Sequence, residues 1–352
     1  FFVLPRTARA ALQSFITPRV HLPGYGGEVD LRKIGEIQAS SRTVMFVRIA
    51  GQPDQLPLYW RGSAMSKFDG KRWTTAGDLA EQVRLRYGTA GIPIRTHKER
   101  KGVRARYDVQ LAETGMNALF VAGIPEFLEA NLGTIVVLSN GTLRSLSEMP
   151  PVLRYSVTAF FDQYGGDGTA ALDRDARRRL LEVPFNFDIR VLELTQRVAG
   201  SENNPALQAR RIVDYLRTNY AYTLELPSEE RDDPVGHFLL ERKQGHCEYF
   251  ATSTVMLLRL AGVPCRYVRG FMIDERNDYS GAWVARNKDA HAWVEGWFPD
   301  RGWVTFDPTS STPAPGNGLL SRLNLYLDAA DSVWQQWILA YDPGHQATLV
   351  AR

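Results

Sequence analysis

The sequence predicts an α+β protein: an N-terminal antiparallel β-sandwich, then a domain in which one helix packs on an antiparallel sheet. Three observations carry this expectation. Residues 43–158 hold several β-branched and aromatic runs with turn signals between them and no helical period. After the Gly-rich stretch 162–173 the apolar residues recur at helical spacing. A helix opening at a cysteine is then followed by three further strands.

In order, TVMFVRIA (43–50), LPLYWRGS (56–63), ARYDVQLA (105–112), TIVVLS (134–139) and VLRYSVTAF (152–160) read as strands. Phe68-Asp69-Gly70, Ala90-Gly91, Gly123 with Pro125, and Asn140-Gly141 supply the turns, the last being the strongest hairpin signal in the chain. Short strands without helices between them point to an immunoglobulin-like sandwich over residues 1–165. Residues 166–318 form the second domain. It opens with helical segments at 171–183 and 205–222, the second carrying Leu207, Ile212, Val213, Tyr215 and Leu216 at helical spacing and Pro205 at its start. A third helix begins at or just before Cys247 and runs to about Leu260, where Gly262 and Pro264 stop it. Strands follow at 265–272, 291–298 and 302–308. STPAPGNG (311–318) is a linker, and the amphipathic segment within 319–352 leads toward a membrane anchor.

The net charge of +3 is too small to argue for a nucleic-acid partner. Arg95, Lys98, Arg100, Lys101, Arg104 and Arg106 concentrate locally, as a solvated loop and strand edge or as a contact for anionic lipid or cell-wall polymer. No run approaches the ~18 apolar residues of a membrane span, and FFVLPRTARA lacks the basic lead of a signal peptide. The apolar start is read as the cut end of a longer chain. Two cysteines, Cys247 and Cys265, are no disulfide scaffold. The acidic loop 273–281 lacks the alternating oxygen ligands of a calcium-binding loop, so neither a metal nor another cofactor is expected.

Cys247 stands where unpaired backbone N–H groups and the positive helix end favour a thiolate. Cys265, after Pro264 in an apolar strand, reads as core. Among the histidines, His21 and His97 belong to the β domain and His345 to the tail, while His246 diverges from its neighbour by about 100°. His291 opens a strand with a polar lead-in and is the candidate base, with Asp307 as the group that orients it. Strand alternation puts His291, Trp293, Glu295 and Trp297 on one face and Trp303, Thr305 and Asp307 on a face of the next strand. A hairpin pairing Phe298 with Trp303 would set His291 opposite Ser310, roughly 10 Å from Asp307. A bulge or offset pairing is therefore expected near residues 298–302.

GHCEYFATSTVMLLRLAGVPCRYVRGF (245–271), with HAWVEGWFPDRGWVTFDPT (291–309), resembles the transglutaminase-like superfamily of papain-related folds. The likeness covers residues 206–309. YWRGSAMSKFDGKRW (59–73) resembles the portion preceding this domain in membrane-anchored bacterial members of the TgpA type, extending the likeness to 40–165. The resemblance implies a Cys247 nucleophile, a His291 base and acid, and Asp307 as its orienter. It implies a protein or peptide substrate with a glutamine-type carboxamide, and a primary amine or water to resolve the thioester. It places the chain at the periplasmic face of the inner membrane, with flanking transmembrane helices outside this sequence. The upstream tryptophan of animal transglutaminases is missing, since no tryptophan lies between Trp73 and Trp283. Tyr222, and next Gln244, are the substitute oxyanion candidates, alongside the Cys247 N–H. Trp293, Trp297 and Trp303 are cleft-wall candidates, each equally readable as core. The same trio serves a cysteine peptidase or amidase, and a third reading is a non-catalytic scaffold.

Overall fold

The computed structural model describes residues 28–31, 38, 40–50, 59–75, 80–85, 89–92, 102–112, 117–162, 171–184, 188–201, 203–225, 231–277 and 280–309. The linker 311–318, the amphipathic segment 319–352 and the basic residues Arg95–Lys101 lie outside them.

The first half contributes β1 (Glu28–Asp30), β2 (Thr43–Ile49), β3 (Tyr59–Met65), β4 (Lys67–Phe68), β5 (Arg72–Thr74), β6 (Ala80–Arg84) and β7 (Thr89–Gly91). It continues with β8 (Gly102–Ala112), β9 (Ala118–Leu119), β10 (Ile124–Ala130), β11 (Thr134–Leu138), β12 (Leu143–Ser145) and β13 (Val152–Asp162). Helices α1 (Arg174–Leu180), α2 (Ile189–Ala199), α3 (Pro205–Asn219), α4 (Pro234–His237) and α5 (Cys247–Leu260) follow, a π-helical turn at Phe238–Arg242 extending α4. Among them run β14 (Ala221–Tyr222), β15 (Gln244–Gly245), β16 (Cys265–Met272), β17 (Trp283–Arg286), β18 (Ala290–Phe298) and β19 (Gly302–Phe306).

Antiparallel sheets dominate, in the orders β17-β2-β8-β13-β10-β7, β6-β11-β12-β9 and β19-β18-β16-β3. The Asn140-Gly141 turn joins β11 to β12 as its sequence signal requires, Leu138 N–H bonding Thr142 O at 2.9 Å. Of the basic cluster, Arg104 and Arg106 sit on β8 and pair with Glu126 and Glu129 of β10, both at 2.7 Å. These ion pairs are largely exposed and contribute little to stability.

Two strands cross the expected boundary at residue 165. β3, expected in the sandwich, instead completes the sheet that carries His291, pairing with β16. β17, from the second half, closes the edge of the six-stranded sheet against β2. Periodicity specifies a strand and its faces but not its partner. Trp60, Ser63, Ala64 and Met65 are all buried, so β3 is packed on both faces and serves both halves. One continuous apolar core accordingly runs from Val44, Tyr107 and Leu153 to Phe250, Leu257 and Val294.

Helix α5 is the axis of the second half. Thirteen of its fourteen residues are buried, as an apolar run with no polar face demands. Two of its polar side chains are tied to surrounding elements. Thr252 Oγ1 accepts from Trp73 Nε1 at 2.9 Å, and Arg259 donates to the carbonyls of Glu182, Ser66 and Cys265 at 2.6, 2.7 and 3.0 Å.

A bulge sets the alignment of β3. Met65, Ala64 and Ser63 pair with Tyr267, Val268 and Arg269; then Arg61, Trp60 and Tyr59 pair with Gly270, Phe271 and Met272, leaving Gly62 unpaired. Without that extra residue Trp60 would stand opposite Met272 and Tyr59 would turn to the other face. Backbones come so close here that a Cβ on Gly270 would overlap the Trp60 carbonyl oxygen, and one on Gly62 the Phe120 ring. Gly270→Ala is therefore expected to lower stability by about 1–3 kcal/mol through overpacking against main chain. Denaturant unfolding at unchanged slope tests this; a midpoint equal to wild type would refute the close-packing account.

Candidate active site

Cys247 is the first residue of α5, and its lead-in is built by three local features. Gly245 pairs with Tyr222 across the short parallel β14–β15 ladder. His246 caps the helix, its Nδ1 accepting from Glu248 N–H at 3.4 Å. Burial of the His246 ring pushes its pKa down to about 3, so the cap is a neutral acceptor at any ordinary pH. Behind it, Glu248 lies 3.7 Å from the Arg269 guanidinium and accepts from Tyr267 OH at 3.3 Å, all inside the core. Cys247 itself is fully buried, and both cysteines are free thiols.

His291 Nε2 and Asp307 Oδ2 are 2.8 Å apart. The expected bulge near 298–302 is not there: β18 and β19 pair without a shift from Val294↔Phe306 to Phe298↔Gly302. The hairpin is one residue tighter than the pairing considered from sequence, so His291 falls opposite position 309. Asp307 becomes its diagonal neighbour on the same face, which long side chains bridge without any irregularity.

Asp307 is held at both oxygens. Oδ2 also accepts from Tyr59 OH at 2.8 Å, while Oδ1 accepts from Thr309 N–H and Oγ1–H at 3.0 and 2.7 Å. Burial alone would raise its pKa, but the charge on His291 and these donors hold it well below the usual carboxylate range. Burial likewise opposes charge on His291, yet Asp307 and a hydrogen bond shared with the Cys247 thiol lift its pKa to about 10. With Nε2 engaged by Asp307, Nδ1 is the nitrogen left for the thiol. Both neighbours thus favour the protonated imidazole over the neutral ring. Cys265, by contrast, is deep in the core, and burial pushes its thiol up to about 11.

Tyr222 reaches the same centre. Its ring stacks with Phe250 of α5 at 6.4 Å, and burial together with the nearby Cys247 thiol pushes the pKa of its hydroxyl well up. Gln244 does not: its side chain is exposed on the ladder position beside Ala221. A glutamine missed in the sequence stands there instead. Gln38 Nε2 donates to Ala290 O at 2.5 Å and lies 3.9 Å from Cys247 Sγ, while its Oε1 accepts from Tyr222 OH at 3.2 Å. Tyr59 was missed too, its ring 6.3 Å from that of His291. Nothing local in either segment marks these residues, because both meet the site across more than 200 positions.

Of the three tryptophans, Trp293 stacks 6.3 Å from His291 and 5.1 Å from Tyr59 and is buried. Trp297 and Trp303 pair at the far end of the hairpin and pack on Leu180. Six residues of strand, about 20 Å, separate Trp297 from His291, so these two wall the core and not the thiol. Glu295 is taken up by Arg61 and Arg266 at 3.3 and 2.6 Å, with Arg266 stacked 3.7 Å over Trp303. Among the described residues no group of three His, Cys, Asp or Glu side chains is placed to hold a metal, and no helix is long and apolar enough to cross a membrane.

Residues 192–308 match the transglutaminase-like superfamily, and residues 1–165 match the TgpA N-terminal domain. The chain is 26% identical over 367 residues to the protein-glutamine gamma-glutamyltransferase of Pseudomonas aeruginosa strain PAO1, covering 94% of this chain and 52% of that relative. It is 35% identical over 146 residues to the uncharacterized protein YebA of Bacillus subtilis strain 168, covering 39% of this chain and 20% of YebA. The chain thus spans about half the length of the first relative and a fifth of the second. The crystal structure of the periplasmic domain of TgpA from P. aeruginosa superimposes with a TM-score of 0.67 at 26% identity, covering 80% of this chain and 93% of that one. Its ethylmercury-bound form gives 0.66 at 25% identity, covering 81% and 96%.

Asp307→Asn removes the carboxylate that offsets burial at His291. The imidazole pKa is expected to fall from about 10 toward or below 6.5. Imidazole proton shifts followed by NMR between pH 5 and 11 read this, and an unmoved titration would show that Asp307 does not set the charge.

Proposed function

We propose that this chain, a member of the transglutaminase-like superfamily carrying the TgpA N-terminal domain, is a thiol acyltransferase acting on glutamine-type carboxamides. The observation that carries the reading is the relay from Asp307 through His291 to Cys247, built at the N-terminus of a buried helix. Cys247 is the nucleophile, His291 the base and then the acid, and Asp307 the group that fixes the ring and supports its charge.

The thiolate attacks the carboxamide carbon of the donor, forming the S–C bond and moving the carbonyl electrons onto oxygen. Collapse restores the carbonyl and breaks the C–N bond, the leaving nitrogen taking a proton from His291 and departing as ammonia. A primary amine on an acceptor protein then gives up a proton to His291 and attacks the thioester, yielding an isopeptide cross-link and the free thiol. Water in place of the amine gives deamidation. Positioned proton transfer of this kind contributes about 10²–10⁴ in rate. Similarity to the protein-glutamine gamma-glutamyltransferase of P. aeruginosa supports transfer from protein glutamine, and similarity to the periplasmic domain of TgpA supports a site at the periplasmic face of the inner membrane. Membrane-spanning helices flanking this region belong to the same proposal.

The peptidase or amidase reading uses the same three residues, and the choice of acceptor separates it from transfer. The scaffold reading is disfavoured by the preserved relay, since a binding module has no use for an imidazolium buried beside a thiol.

Incorporation of a fluorescent primary amine into a glutamine-bearing protein tests the proposal. Wild type is expected to label the acceptor and release ammonia, and Cys247→Ala to lose both entirely. Ammonia release without labelling would assign deamidation. Absence of both, with cleavage of a peptide bond, would replace transfer by hydrolysis.

A further inference from the structure

We infer that Gln38 is a catalytic residue: its side-chain amide donates a hydrogen bond to the oxyanion formed when Cys247 attacks an acyl carbon, and Tyr222 positions it. This rests on Cys247 being an acyl-transfer nucleophile, as proposed above.

A carboxamide carries two N–H donors and one carbonyl acceptor, and a tyrosine hydroxyl has one proton to give. Tyr222 gives that proton to Gln38 Oε1 at 3.2 Å. With that one proton committed, Tyr222 has none left for an incoming carbonyl oxygen. Gln38 uses one N–H on Ala290 O at 2.5 Å. Its second N–H faces the sulfur across 3.9 Å, the outer limit of a contact to sulfur. A carboxamide fixed at its oxygen and at one hydrogen has its last hydrogen aimed at the reacting atom.

The anchors are not incidental. Ala290 immediately precedes His291, and Tyr222 stacks on the helix that begins with Cys247. The amide is therefore registered against both the base and the nucleophile. An oxyanion donor needs to lie about 2.7–3.1 Å from the oxygen of the tetrahedral species rather than from the resting substrate. With 3.9 Å between nitrogen and sulfur, the oxygen of a carbon bonded to that sulfur fits between them. In the attack step the S–C bond forms and the carbonyl pair moves to oxygen, where the Gln38 N–H meets the charge. In collapse the pair returns and the leaving group departs with the proton from His291.

The test separates stabilisation of the oxyanion from activation of the thiol. Alkylation by iodoacetamide displaces iodide at carbon and creates no oxyanion, whereas acylation by p-nitrophenyl acetate does. In the 352-residue chain, Gln38→Ala and Gln38→Glu are expected to lower the acylation rate by about 10²–10³-fold, the loss found on removing one oxyanion donor. Alkylation of Cys247 is expected to stay within about threefold of wild type, since the relay to His291 is untouched. Tyr222→Phe, which leaves the N–H in place but loosens it, is expected to give a smaller loss. Acylation unchanged in Gln38→Ala would overturn the inference. So would a parallel fall in both reactions, which marks a structural role, or a rise in both, which marks Gln38 as a cover over the thiol. Wild-type chain that alkylates but never acylates would overturn it too. Amine incorporation is read separately: acylation that depends on Gln38 without any incorporation would leave this inference standing and sink glutamine transfer alone.

Discussion

The antiparallel pairing of Tyr59–Met65 with Cys265–Met272 is the constraint on which the rest of the site depends. It extends the sheet that carries His291, and its bulge at Gly62 decides which side chain of β3 meets Asp307. The ladder also shares its glycine: Gly270 pairs with Arg61 on one side and with His291 on the other. A side chain there would push apart the two strands that hold the carboxylate's donors. Small residues at this crossing thus serve the geometry of polar groups two strands away, a packing requirement with an electrostatic result.

Those polar groups form a chain of decreasing saturation. Asp307 is fully occupied by Tyr59, His291 and Thr309. His291 is engaged at one nitrogen by the carboxylate and shares its other side with the thiol. Cys247 alone is left with chemistry to do. A buried ionised carboxylate is costly unless hydrogen-bonded, and here each of its oxygens has two donors. The imidazole is correspondingly fixed in rotamer, and its protonated form is favoured. Charge at the centre is supported from one side by a fully satisfied anion and not by solvent.

Much of the second half was legible because its signals are local. Helix Cys247–Leu260 and strand Cys265–Met272 have the bounds expected from a cysteine at a helix start and from Gly262-Pro264 as a stop. Alternation grouped His291 with Trp293, Glu295 and Trp297, and Asp307 with Trp303 and Thr305, but only the observed pairing of Trp297 with Trp303 puts the two groups on one face. What failed was counting across a turn: a single residue in the hairpin changed a gap that seemed to need a bulge into a diagonal contact. Gln38 and Tyr59 were illegible for a different reason. Their neighbours in sequence have no catalytic character, and only long-range pairing brings them to the thiol and the carboxylate. Trp297 and Trp303 show the converse, since sharing a face with His291 did not bring them near it once the strand ran on for six residues. Partner choice for β3 and β17 lay beyond reach because an edge strand's pattern is compatible with either sheet.

The exchange of β3 and β17 bears on how such a chain can be rearranged. Each half lends one strand to the other, so a junction drawn after residue 162 severs two ladders while leaving every helix intact. A chimera joining this N-terminal region to a relative's second half would have to match the bulge of one parent to the glycine of the other. Recombination between divergent homologues is therefore penalised at the very place where the polypeptide looks most divisible.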